Sequence, residues 1–290
     1  MNTVWSQFIQ GENTLYYSRK LRFCDVFAER YRSLLKLDGR RRLKILEVGC
    51  GPGALAGALH RWYPKAEICG LDRDSNFIEF ARAHEEGVEF VEGDATALPF
   101  ADGTFDVTIS YTVSEHIEPE KFFGEQLRVL KSGGVCIVLS NRKTFEVKAP
   151  CLAESEFEEQ FWRGTAERDD SLEKYAVRKY PLTEAELPAA IEKYGFGDIT
   201  CDYLAIGLTP DDKKFAAIAR DIIEEGRKSE LDGLGSAARS LPDFVTAEDV
   251  QRMTALIDKK YDERLAQYER GERQWDTAVS LIMILRGTKN

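Results

Sequence analysis

The amino-acid sequence predicts an α/β protein built on a doubly wound, mostly parallel sheet of seven strands. Three observations carry this. The apolar run Lys44–Val48 enters a glycine-rich turn, Gly49-Cys50-Gly51-Pro52-Gly53, and leaves it as the helical stretch Ala54–Trp62. A second apolar run, 66–72, ends in Asp72, 23 positions after Gly49. Apolar runs and helix-period stretches then alternate as far as residue 140, the pattern of a parallel sheet with helices on both faces.

The glycine turn comes first. Glycines let the chain turn tightly and leave no Cβ between its amides and a ligand. The helix start behind them offers unpaired N–H groups. The turn alone fits a plain strand-to-helix connection equally well. Asp72 adds an acid near the spacing of a ribose-binding carboxylate, about 20 positions on. Residues 88–92, followed by Gly93-Asp94-Ala95, form the third strand, and 105–110 the fourth. In a doubly wound sheet these strand ends meet at one edge, where ligands bind.

Ahead of the sheet, residues 1–38 read as helical, with Phe23, Val26, Phe27 and Tyr31 as a core stripe. Helices are expected over Ser75–His84 and 119–130, with Ser132-Gly133-Gly134 breaking the second before a fifth strand at 135–140. Residues 154–162 read as a short amphipathic helix whose aromatics pack or line a pocket. Thr183 and Glu186 form a capping-box pattern, and Pro188 makes that helix start late or bend. Residues 199–208 are the sixth strand. About 70 residues then precede the last, 279–286, too many for a structureless loop. They hold a helix capped by Thr209 and Asp212 and carrying Phe215, Ile218 and Ile222. A second runs from Thr246, and a Gly- and Ser-rich hinge, 231–242, joins them.

Composition bounds the function. Hydrophobic content of 43% and charged content of 31% are those of a soluble globular chain. No apolar run approaches the roughly 20 residues of a membrane span, and the N-terminus lacks a signal-peptide pattern, so the expected location is cytoplasmic. A formal charge of −10 opposes nucleic-acid and anionic-membrane partners. The six cysteines include no C-x-x-C pair, so no metal site or disulfide frame is expected. A monomer or homodimer is expected.

The successive stretches EVGCGPG, GLD, EGDATALPF, FDVTISYTVSEHI and LRVLKSGGVCIVL, within residues 44–140, resemble the motifs of class I S-adenosylmethionine (SAM)-dependent methyltransferases of the type 11 group. The resemblance implies a Rossmann-like sheet with its last strand antiparallel, SAM as cofactor and S-adenosylhomocysteine (SAH) as its product. It implies a SAM-binding domain of residues 1–208 plus 272–290. The insertion at 209–271 departs from the family's minimal pattern and would be a helical cap. By the same resemblance Gly49, Cys50 and Gly51 pack against the methionine and ribose. Glu47 accepts from the amino group through water or organises the loop. Asp72 takes the ribose hydroxyls, and Arg73 lies along the adenine. Asp94 accepts from the adenine amino group, Ala95 offers its N–H, and Ser110 and Tyr111 border the methyl group. The leading helix would fold over the cofactor and bring Tyr16 or Tyr17 to the sulfonium and Arg22 to the methionine carboxylate.

His116 follows the fourth strand and is the catalytic candidate: an imidazole there could take a proton from an acceptor, or simply wall the pocket. The implied reaction moves a methyl group to an O, N or C atom of a small molecule by direct in-line displacement. A protein acceptor, aminopropyl transfer and a non-catalytic scaffold are the alternatives. A nicotinamide oxidoreductase is disfavoured because the turn reads G-x-G-x-G rather than G-x-G-x-x-G.

Overall fold

The computed structural model describes residues 5–142, 145–175 and 177–290. At its centre lies β1 (Lys44–Val48), whose last four residues are all buried. Successive side chains point to opposite faces. Ile45 therefore joins the core on one side of the sheet, with Phe23, Tyr31, Leu59 and Tyr111, while Leu46 and Val48 join the other, with Phe122, Phe123 and Met283.

β1 pairs in parallel with β2 (Glu67–Asp72) and β4 (Phe105–Tyr111). β3 (Glu89–Glu92) continues the sheet beyond β2, and β5 (Leu130–Asn141) beyond β4. β8 (Thr277–Lys289) runs antiparallel between β5 and β7 (Phe196–Leu208). Among the described residues there are eight strands, not seven. The extra one, β6 (Val147–Ala149), pairs with β8 at Val147↔Val279, beyond the β5 contact at Asn141↔Ile282. Since β7 holds the other edge of β8 there, at Gly207↔Val279, β6 resumes the edge β5 has left, and eight strands fill seven positions.

The helices are α1 (Glu12–Arg22), α2 (Ala28–Leu35), α3 (Ala54–Trp62), α4 (Ser75–His84), α5 (Pro119–Val129), α6 (Glu156–Ala166), α7 (Ser171–Lys174), α8 (Glu186–Lys193), α9 (Ala219–Ser240) and α10 (Ala247–Glu269). A π-helical turn, Trp5–Ile9, precedes α1. Thr183 and Glu186 exchange the expected capping bonds: the Thr183 amide donates to the Glu186 carboxylate at 2.9 Å and the Glu186 amide to the Thr183 hydroxyl at 3.2 Å. Because α8 starts at Glu186, Pro188 falls in its first turn, where a missing N–H costs nothing. Thr246 caps α10 by the same device with Asp249. Among the described residues no helix is long and apolar enough to cross a membrane.

The expected hinge is absent. Residues 231–240 complete α9, a single helix of 22 residues. Asp212 caps only a short 3-10 turn, Lys213–Phe215. Phe215 is wholly buried against Phe27, 5.8 Å between ring centroids, so it belongs to the sheet's core rather than to a separate cap. A third, smaller core gathers Phe161 of α6, Leu234 of α9, Val245, and Met253 and Ile257 of α10.

Candidate functional site

The site begins where β1 stops. Gly49 and Gly51 take left-handed backbone conformations, φ 72° and 54°, which residues with a Cβ rarely adopt. Space forbids a side chain as well. A Cβ on Gly49 would come within 2.5 Å of a Val113 methyl, and one on Gly51 within 2.9 Å of the Arg19 guanidinium. The turn's amides do not face outward as expected. Gly49 and Cys50 both donate to the Leu71 carbonyl, at 2.7 and 2.9 Å, and Gly51 donates to Asp72 at 2.8 Å. The loop is clamped to the end of β2, so what it can offer a ligand is close approach. The Cys50 thiol is buried against Gly70, and burial holds it protonated.

Two carboxyls flank the turn. Asp72 accepts from Gly51 through Oδ2 and from the Asp74 amide through Oδ1, at 2.8 and 2.9 Å. Burial still raises its proton affinity against those two bonds. Glu47 is fully buried, and neither oxygen has a hydrogen-bond partner among the described residues. Desolvation pushes its pKa up to about 8. The Arg19 charge and the Ala56 amide offset only part of this.

Arg19 is the residue the sequence reading missed. The residue is 8% exposed, and its guanidinium lies over Gly51, sits 5.3 Å from the Tyr111 ring centroid and donates to the Thr112 hydroxyl at 3.2 Å. Leu15, one helical turn earlier, also touches the Gly51 position. The expected α1 residues are engaged elsewhere. The Tyr16 hydroxyl donates to Glu85 at 2.8 Å, Tyr17 lies beneath the Lys228 ammonium of α9 at 4.5 Å, and Arg22 donates to the Ser18 carbonyl at 3.1 Å.

At the end of β4, Ser110 is fully buried with no partner for its hydroxyl among the described residues. Tyr111 is buried edge-on against Phe23, 4.9 Å between centroids. Thr112 follows at φ 53°, strained for a β-branched residue. Asp94 is exposed and spends Oδ1 on the Thr96 amide and hydroxyl, at 2.8 and 2.7 Å. Ala95 is buried, and Arg73 is exposed beside β2. His116 is held by its surroundings. Its Nδ1 accepts from the Arg178 amide at 2.8 Å, and Trp5 packs edge-on at 4.7 Å. Burial, then the charges of Arg178, Arg19 and Arg73, lower its pKa to about 4. A neutral ring whose Nδ1 accepts carries its proton on Nε2, and so has no lone pair left to act as a base. The geometry therefore speaks against the catalytic role expected of it.

Residues 46–138 match the family model of the methyltransferase domain. That stretch carries the sequence of a methyltransferase domain. The chain is 35% identical over 173 residues to a fatty-acid O-methyltransferase of Mycolicibacterium smegmatis, covering 55% of this chain and 61% of that one. It is 42% identical over 101 residues to a demethylmenaquinone methyltransferase of Thermus thermophilus, covering 33% of this chain and 46% of the relative. The chain thus spans less than two thirds of each of these curated relatives. Among solved structures, Haemonchus contortus phosphoethanolamine N-methyltransferase 2 in complex with SAM shares the fold, with a TM-score of 0.51 at 16% identity over 99% of this chain and 59% of that one. The glycine turn, Asp72, Asp94 and His116 all lie within the methyltransferase-domain match, whereas Arg19 lies outside it.

Proposed function

We propose that this chain moves the methyl group of SAM to an O, N or C atom of a small-molecule acceptor. One observation carries the reading: a fully buried carboxyl without a partner, Glu47, stands behind a glycine turn roofed by the Arg19 cation. An orphaned buried acid is costly unless something else completes it. An amino acid's ammonium would complete Glu47 directly or through water, and its carboxylate would meet Arg19. SAM ends in that pair of groups, so the residues present fit it.

Each Asp72 oxygen accepts one amide and keeps a lone pair, so the carboxylate can take two ribose hydroxyls as well. Gly49 and Gly51 supply a floor on which the ligand packs closely. Cys50 contributes backbone alone. Asp94 keeps Oδ2 outside its Thr96 pair for the adenine amino group, with the Ala95 amide beside it and Arg73 along the ring. Ser110 and Tyr111 close the base of the site where the methyl group would lie. Tyr17 and Arg22 have lesser claims, given their partners.

When bound, SAM supplies a methyl group activated on a sulfonium. The chain's part is to hold acceptor and methyl in line, and such positioning can contribute ~7–11 kcal/mol of barrier reduction. No general base is needed at His116 if the acceptor arrives with its lone pair free. Calorimetric titration with SAH tests the reading: saturable binding, lost in Asp72→Ala, supports it. No binding at millimolar SAH by the folded chain overturns it. Mass spectrometry of metabolites incubated with SAM and the chain would then identify the acceptor by its gain of one methyl.

A further inference from the structure

A cavity of about 380 Å³ lies away from the glycine turn, between α1, α6 and α9. Its wall includes Thr14, Trp162, Asp169, Ser229, Asp232 and Ser236. The α9 side is the stretch that reads from composition as a hinge. Its residues Gly233, Ser236, Ala237 and Ser240 face the cavity, while Leu234 turns into the third core. Packed helices normally fill the space between them to crystal-like density. Here the side chains are too small to do so, and the opening is written into the sequence of α9.

The charged side chains of the wall itself are acidic, with Arg239 acting on one of them from outside it. The wall holds two carboxylates, Asp169 and Asp232, and no Lys, Arg or His among its described residues. Asp232 lies beside the Gly11 amide and the Thr14 hydroxyl at the start of α1, with the Arg239 charge also acting on it. The Ser229 hydroxyl donates to Glu225 at 2.7 Å, so toward a ligand it can accept. Trp162 adds an indole ring, the best of the aromatic partners for a cation. A carboxylate or phosphate entering this space would lose water and meet like charge. An ammonium would meet acceptors and a π face.

Two segments of the cavity's wall continue along the chain to the cofactor site. Ile9 and Gln10 belong to the segment whose Trp5 and Ser6 contact His116 and Asp74. Thr14 precedes Leu15, which lies against the Gly51 position.

We infer that this cavity receives the ammonium group of a small organic amine, which is the methyl acceptor; only the word acceptor rests on the methyl-transfer reading above. The test is ligand-observed NMR on the full chain with choline, phenethylamine and spermidine as cationic probes and hexanoate and inorganic phosphate as anionic ones. At least one cation should show saturable binding, and neither anion should. Asp232→Asn keeps the local hydrogen-bond acceptor but removes the charge, and should weaken the cation about ten- to a hundredfold. Ser236→Leu, which narrows the cavity, should weaken it as well. Both variants should titrate with SAH as the parent does. Anions binding as well as cations, no saturable cation at millimolar concentration, or cation binding indifferent to both substitutions would each overturn the inference. Cation binding intact in a chain that ignores SAH would instead leave the site standing and sink the methyl-transfer reading.

Discussion

Ser6 holds the Asp74 carboxylate twice, through its backbone N–H and through its hydroxyl, at 3.0 Å each. Asp74 also caps α4 by accepting from the Asn76 amide at 3.1 Å. The turn Trp5–Ile9 is thereby tied to the end of β2, while Trp5 reaches His116 beyond β4. A strap so placed crosses the sheet edge at which the glycine turn opens.

The two ends of this latch separate experimentally. Ser6→Ala removes the hydroxyl arm, with the bond the hydroxyl accepts from the Asn76 side chain, and leaves the backbone arm. SAH should dissociate several-fold faster and the amides of residues 5–10 should exchange faster, with global stability changed by less than about 0.5 kcal/mol. Asp74→Ala also removes the α4 cap and should cost about 1 kcal/mol of stability in addition. Stopped-flow release and thermal melts distinguish them. Equal dissociation rates in Ser6→Ala and the parent would dismiss the strap.

Arg19 rather than Arg22 should carry the anionic end of the cofactor. A charge-assisted hydrogen bond in a partly dry site contributes about 1.5–3 kcal/mol. Arg19→Ala should therefore raise the SAH dissociation constant roughly ten- to a hundredfold. Arg22→Ala should leave it nearly unchanged, because the Arg22 head is spent on the Ser18 carbonyl. Calorimetry on both variants decides, and a reversed order of effects would restore the expectation drawn from sequence.

Glu47 makes the apo protein pH-sensitive in a direction opposite to a paired carboxylate. Its folded pKa of about 8 lies above the ordinary glutamate value of 4.5. The folded state thus binds the proton more tightly than the unfolded one, and its contribution to stability is full below pH 4.5 and is lost as pH rises through 8. The size of the loss is on the order of 4 kcal/mol. Denaturant melts of the apo protein from pH 5 to 8.5 should show this decline, and Glu47→Gln should flatten it. SAH should also offset part of the decline, by presenting an ammonium to the ionised form.

How much of this was legible beforehand depends on where each signal lives. Lys44–Val48, the glycine turn and Asp72 announce themselves because strand, turn and acid are contiguous or regularly spaced. The Thr183–Glu186 cap is local too and follows from spacing alone, as does the helix start at Thr246, whose partner Asp249 the structure adds. Arg19 is not local. Its meaning comes from Gly51, Tyr111 and Thr112, which only the folded sheet brings to α1. β6 has three exposed residues and no period to detect. Residues 231–242 mislead for a different reason. A glycine inside a helix costs only about 1 kcal/mol, and a long amphipathic helix with Ile223 and Leu234 buried tolerates it. Small residues there make room; they do not break the chain.

His116 offers the sharpest test of the site as it stands. Its folded pKa of about 4 lies below the ordinary 6.5. The ring stays neutral when folded, so its contribution to stability is full above pH 6.5 and is lost as pH falls through 4, by on the order of 3 kcal/mol. His116→Gln keeps a side chain able to accept from the Arg178 amide but removes the titration, and should flatten the acid limb of a denaturation profile. A general base would behave otherwise. It would put a limb into the pH dependence of kcat near its pKa, and its loss would cut kcat by 10²-fold or more. With Nδ1 filled by the Arg178 amide and the proton on Nε2, His116→Gln should retain kcat within a few-fold and unchanged SAH affinity. A collapse of kcat at unchanged SAH affinity would mean that the Arg178 contact breaks during turnover and that the ring acts as the base after all.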